Sequence, residues 1–260
     1  MTPRTSWFSR GLAASAVALG VALMLSSAPG EAHKAITSKY RYNEDLFPLF
    51  KEHCGRCHVD GGVAPMSLMS YDDAAPWGES MRLELLSEEP KPWHNYRLTP
   101  RELDTILVWA TGGSPRGDAA HNPPPMALVN DWGSGSPDVA LPMPAPFTLP
   151  GASNSAGHDV EFAVGGAAGK AIAAVDLLPG TPPIVRTATL AVKLPDGSTR
   201  PLAEWVAGQP HAVTLATPVT IPANARVVAH IEYRRTWQYE GKDMTDSSTV
   251  GLYFAKPSGR

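Results

Sequence analysis

Only two cysteines occur in the 260 residues, and both fall inside one run of five, Cys54-Gly55-Arg56-Cys57-His58. No other stretch limits the chain so sharply. The spacing is that of the C-x-x-C-H attachment run for a c-type haem. Two thiols three positions apart can each form a thioether to a porphyrin. The adjoining His58 is then held beneath the ring, where a neutral imidazole can ligate iron as the proximal ligand. Three other readings compete: a disulfide within the run, half a zinc site, and a thioredoxin-like redox pair. Half a zinc site needs further Cys or His at ligand spacing, and none follows. A redox pair sits in a βαβ context, which these flanks do not suggest. One covalent haem c on Cys54 and Cys57, with His58 on the iron, is the expectation.

The remaining composition is that of a globular chain, with 43% hydrophobic and 18% charged residues. The 26 prolines and 23 glycines concentrate after residue 112, which predicts a helical front and a back of strands and loops. A formal net charge of −3, with no basic block beyond the N-terminus, speaks against nucleic acid as a partner. Residues 1–32 read as a signal peptide. Arg4 and Arg10 form a basic start, Gly11 to Leu25 is apolar, and small residues flank a cut near Ala32. The apolar run is short for a membrane span, so a periplasmic or otherwise exported product is expected, with His33 as its first residue.

Residues 33–118 are expected to form a small all-α haem domain. Asn43 is a candidate N-cap before Glu44 and Asp45, and Leu46, Phe47 and Phe50 supply an apolar stripe leading to Cys54. A second helix is predicted from Ser70, with Asp73 as its capping partner and Trp77, Met81 and Leu85 along one face. The third is the clearest. Thr99 caps it, Pro100 and Glu102 occupy its first turn, and Gly112-Gly113 stops it.

The run from Tyr42 to Asp118 resembles class I cytochrome c domains of exported bacterial multidomain proteins. The matching pieces are the haem run, Gly62 to Leu68, Tyr71 to Trp77, Pro92-Trp93-His94 and the helix from Leu98 to Gly113. In such relatives the distal ligand is commonly a Met just before a Pro-Pro-Trp-His stretch. Pro90 occupies that position here. His94, far enough along to reach the opposite face of the ring, is the first candidate for the sixth ligand, and Met81 is the alternative. Met66, Met126 and an open iron remain further options.

Residues 119–146 read as a Pro/Gly-rich linker, with Trp132 as a residue that pins it to one of its neighbours. Residues 147–260 read as strands. His158 to Val164, Val185 to Val192 and Val227 to Tyr233 alternate, the last placing Val227, Ala229, Ile231 and Tyr233 on one face, and Thr249 to Phe254 is a final strand. An antiparallel, jelly-roll-like β-sandwich is expected, so the fold class is multidomain, α then β.

This half resembles one lobe of the copper type II, peptidylglycine-type monooxygenases. The resemblance rests on Asp176 to Gly180, the Trp205 stretch, Ile221-Pro222-Ala223, Ile231-Glu232-Tyr233 and Val250 to Phe254. Its copper ligands do not carry over. Arg186-Thr187 stands where that lobe has a His pair, Glu232 where a His precedes the Tyr, and Arg234 where bacterial relatives carry another His. Copper needs imidazole or thioether ligands, so the lobe is read as a docking scaffold without copper.

The leading functional expectation is a non-enzymatic mono-haem electron carrier, with an enzyme kept open as an alternative. It would serve redox protein partners and could be a subunit of a membrane respiratory or photosynthetic complex. The alternatives are a haem-dependent oxidoreductase, or a gas-binding sensor with an open sixth iron position.

Overall fold

Pro and Gly density divides the chain much as expected: among the described residues the α-helices end at Thr111 and the strands begin at Val139, with only short 3-10 turns among them. The computed structural model describes residues 37–87 and 98–256. The molecule is mostly β, with antiparallel sheets and a few short helices. The described residues from Ser38 onward fall in one compact unit. The expected small all-α domain is not evident as a separate unit. Its helices are short and interrupted, and they share one unit with the sheets.

The helical elements are a π-turn at Tyr42–Leu46, α1 (Phe47–His53), α2 (Tyr71–Ala74), α3 (Gly78–Leu85) and α4 (Pro100–Thr111). Local chemistry explains their ends. Ser70 Oγ accepts from the Asp73 backbone N–H at 3.2 Å and starts α2. Pro76 follows within a 3-10 turn, so the single helix expected from Ser70 is broken before α3. The capping box on α4 is present in full: Thr99 Oγ1 accepts from the Glu102 N–H, and Glu102 Oε2 accepts from the Thr99 N–H at 2.7 Å. Asn43 is not an N-cap. It is buried in the π-turn, and its Nδ2 donates to Asp118 O at 2.7 Å and to Asn122 Oδ1 at 3.0 Å. Long-range partners have taken the side chain that a local cap would use.

The front elements share a core of Tyr42, Leu46, Phe50, Val59, Leu68, Met69, Ala74, Ile106 and Trp109. Met81 and Leu85 pack against it half-buried, whereas Trp77, the first residue of the expected stripe, lies in the 3-10 turn before α3 and is not among the residues packed there.

Among the described residues ten strands follow: β1 (Val139–Pro142), β2 (Phe147–Leu149), β3 (Ser155–Ala163), β4 (Ala171–Leu178), β5 (Val185–Lys193), β6 (Thr199–Val206), β7 (Val213–Thr220), β8 (Arg226–Arg234), β9 (Met244–Asp246) and β10 (Thr249–Phe254). They form two four-stranded antiparallel sheets, ordered β1-β10-β4-β7 and β3-β8-β5-β6, and a β2-β9 pair. Side chains from both larger sheets meet in one core, including Val175, Leu177 and Leu252 from one and Phe162, Leu190 and Ile231 from the other. On β8 the buried residues are Val227, Ala229, Ile231 and Tyr233, the face that alternation predicts.

The composition-based linker is not free chain. Its residues 139–142 are β1, paired with β10. The Trp132 ring lies so close to Gly251 that a Cβ there would sit 2.8 Å from it. Tyr253 Oη donates to Gly135 O at 2.8 Å, and Asp138 Oδ2 accepts from the Phe254 N–H at 2.7 Å. Trp132 pins the segment to the sheets, and β10 carries the stitching.

Candidate functional site

α1 delivers the chain to the Cys-His run. Its last turn closes with Cys54 N–H donating to Phe50 O at 2.9 Å. The next turn folds on Cys54 O, which accepts from Cys57 N–H at 3.1 Å and from His58 N–H at 2.9 Å. Cys54, Cys57 and His58 therefore lie on one continuous turn. Gly55 allows close packing, since a Cβ there would come within 2.8 Å of Lys51 O and 3.2 Å of Met69 Sδ. Beyond His58 the chain doubles back. Ala64 N–H donates to Cys57 O at 3.1 Å and Leu68 N–H to His58 O at 3.0 Å. A Cβ at Gly62 would collide with Cys57 O, so that loop closes only around a glycine.

The loop orients the imidazole. His58 Nδ1 lies 3.0 Å from Met66 O. A carbonyl only accepts, so Nδ1 carries the proton and Nε2 keeps its lone pair. Burial holds the His58 pKa below its ordinary value, against the opposing pull of the Met66 carbonyl. The ring is neutral at pH 7, with one nitrogen fixed to the backbone and the other available as a metal ligand.

Both thiols are free and half-buried. Burial pushes Cys54 up to about 12, helped by Cys57 beside it. Burial also raises Cys57, although Arg186 and Arg56 act against it. A redox-active pair needs an accessible thiol of lowered pKa, and neither thiol has one. The chemistry on offer is a pair of protonated sulfurs and a neutral, backbone-anchored imidazole on one turn. That set fits a group held by two sulfur bonds and one axial nitrogen.

Of the two distal candidates, Met81 is placed on α3 against the front core. His94 lies outside the described residues, as do the preceding Pro90, the expected signal peptide and His33. Met66 and Met126 also pack against the front core.

The sheets carry no comparable constellation. His230 on β8 is held between two carboxylates, with Nδ1 2.7 Å from Asp159 Oδ1 and Nε2 3.0 Å from Glu232 Oε1. Those acceptors raise its pKa and occupy both ring nitrogens. His158 stacks on Phe147 at 4.5 Å, and His211 Nδ1 lies 3.3 Å from Gly133 O. Among the described residues no three His, Cys, Asp or Glu side chains gather as a metal site.

Arg186, on β5, makes a contact far from its own sheet. It reaches out of β5 to the Val63 carbonyl in the loop behind His58. Burial, with Arg234 adding like charge, lowers its pKa to about 10, so it stays charged at neutral pH. Sequence reading missed this contact, because the partners lie 123 residues apart and no local pattern joins them. A cleft beside it is lined by Arg56, Val63, Asn130, Asp176, Trp205 and Gln209. At about 70 Å³ it is far smaller than a substrate pocket. Within it the Trp205 indole N–H donates to Asp176 Oδ1 at 2.9 Å.

No protein-family model matches the chain, and a search of curated proteins gives no match. Among the described residues no helix is long and apolar enough to cross a membrane.

Proposed function

We propose that the protein is an exported mono-haem c-type cytochrome that carries electrons between redox protein partners. The single observation that supports this best is the hydrogen bond from His58 Nδ1 to Met66 O. It leaves Nε2 free on the same turn that presents Cys54 and Cys57. Haem c, when bound, supplies reversible one-electron exchange at iron. Cys54 and Cys57 would hold it through thioethers, and the Met66 carbonyl would fix the tautomer and rotation of His58. The front core would shield the ring from water. On this reading the front residues form the cytochrome c domain and the two sheets a jelly-roll-like sandwich. The sandwich would serve as a docking scaffold for redox partners such as the subunits of a membrane respiratory or photosynthetic complex. With both nitrogens of His230 held by carboxylates, no copper chemistry is assigned to it.

Expression in a host that matures c-type cytochromes tests the proposal. The expected product begins near His33, carries one covalent haem per chain and shows reversible reduced and oxidised absorption bands. Cys54→Ser with Cys57→Ser should abolish covalent attachment. A colourless wild-type product with both thiols open to alkylation overturns the reading. A reduced spectrum that shifts under carbon monoxide would favour the gas-binding alternative.

A further inference from the structure

Arg186 stands near the start of β5, half-buried. Its Nε–H donates to Arg234 O at 3.0 Å and an Nη–H to Pro183 O at 3.5 Å, both within the sheet region. The other Nη donates to Val63 O. Val63 belongs to the loop whose Met66 carbonyl receives the His58 Nδ1–H. All three acceptors are neutral carbonyls, and among the described residues no carboxylate pairs with this guanidinium. Its positive charge is therefore left uncompensated beside the loop.

A second contact runs alongside. Gly208, in the turn after β6, has φ +82°, in the left-handed region that favours glycine. A Cβ at that position would collide with Cys57 Sγ. Glycine is thus required twice, for the turn and for the sulfur beneath it. Cys57 Sγ also lies 3.7 Å from Ala207 O. Two points of the sheet region, about 20 residues apart in sequence, hold the two ends of the Cys57–Val63 segment.

We infer that the sheet pair forms the proximal wall of the Cys54–His58 site, with Arg186 as the positioning residue that pins the His58 loop and biases the electrostatics of the bound group. This rests on the haem reading above. A neutral residue at 186 leaves the Val63 carbonyl unanchored and removes a cation from beside the loop that orients His58. Losing that cation favours the more positive, oxidised state, so the reduction potential falls.

Hydrogen exchange and potentiometry on the full chain test this, using Arg186→Met and Arg186→Lys. In Arg186→Met the amides of Gly62, Ala64 and Leu68 should exchange about 10-fold faster or more, while α4 is unchanged. The midpoint potential of the haem-loaded form should fall. Arg186→Lys loses the fork but keeps the charge, so it should loosen the loop with little change in potential. If Arg186→Met does not fold, Gly208→Ala should accelerate the same amides by displacing Cys57. Loop exchange equal to wild type in the soluble variant overturns the inference, as does a potential equally lowered by Lys and Met. Exchange measured on chain made without haem isolates the clamp. Protection lost there on substitution, in a protein that never takes up haem, would sink the functional reading and leave the clamp standing.

Discussion

The helical front and the sheet region solve the same packing problem with unequal means. Among the described residues the front core has nine buried apolar side chains and the sheet core 25. The front relies on interlocked rings. Tyr42 lies 5.8 Å from Tyr71 and 6.3 Å from Trp109, and Phe50 meets Trp109 edge-on at 5.9 Å. The sheets rely on alternating aliphatic residues from facing strands, a pattern that needs no partner outside itself. Small units gain stability steeply with each added apolar surface. A group bound at the Cys54–His58 turn would therefore matter far more to the front than anything bound at the sheets would matter there.

Matched truncations should expose the inequality. Trp109→Ala removes the largest fully buried side chain and is expected to cost about 3–5 kcal/mol. Front amides should lose protection while β5 and β8 keep theirs. Leu190→Ala should cost about 2–5 kcal/mol and weaken both larger sheets. Equal loss of protection in both regions for either variant would show that the two cores unfold as one and would break the comparison.

A smaller change probes the front alone. The buried Tyr42 hydroxyl donates to Leu68 O at 2.8 Å, tying the π-turn to the end of the His58 loop. Tyr42→Phe should cost about 1–2 kcal/mol in urea unfolding, since it leaves that carbonyl without its donor. No loss would mean that the loop end is held by other bonds.

The smallest effect belongs to the sheets and depends on pH. Burial raises the Asp176 pKa, although Leu177 N–H and the Trp205 indole oppose it. The folded chain therefore keeps this proton to a higher pH than the unfolded chain does. Its contribution is fully present below the unfolded value of about 4 and is lost as pH rises through the folded value. Asp176→Asn should remove that slope, stabilising the protein at pH 7 relative to wild type but not at pH 3.5. Denaturation midpoints at the two pH values check this, and an unchanged slope would reject it.

Much of this was legible from local pattern. Thr99, Pro100, Glu102 and Gly112 marked α4 at both ends, and alternation identified the buried face of β8. Other strands were hidden for physical reasons. β4 runs Ala-Ile-Ala-Ala-Val-Asp, and its burial does not alternate. β6 and β7 contain Pro201 and Pro218, which argue against a central strand, and both are edge strands. β1 was concealed in a stretch that composition marked as linker. Asn43 was misplaced because a capping side chain cannot reveal that a distant carbonyl will claim it.

Residue order alone determined the turn that carries two thiols and an imidazole, the caps of α4 and the hydrophobic face of each alternating strand. These depend on backbone periodicity and on partners within a few positions, so neighbours in the chain suffice to specify them. Only the tertiary structure decided that the Met66 carbonyl sets the His58 tautomer, that Arg186 grips Val63, and that Gly208 makes room for the Cys57 sulfur. Those contacts depend on how a loop meets a distant sheet edge, and that geometry follows from burying both cores at once.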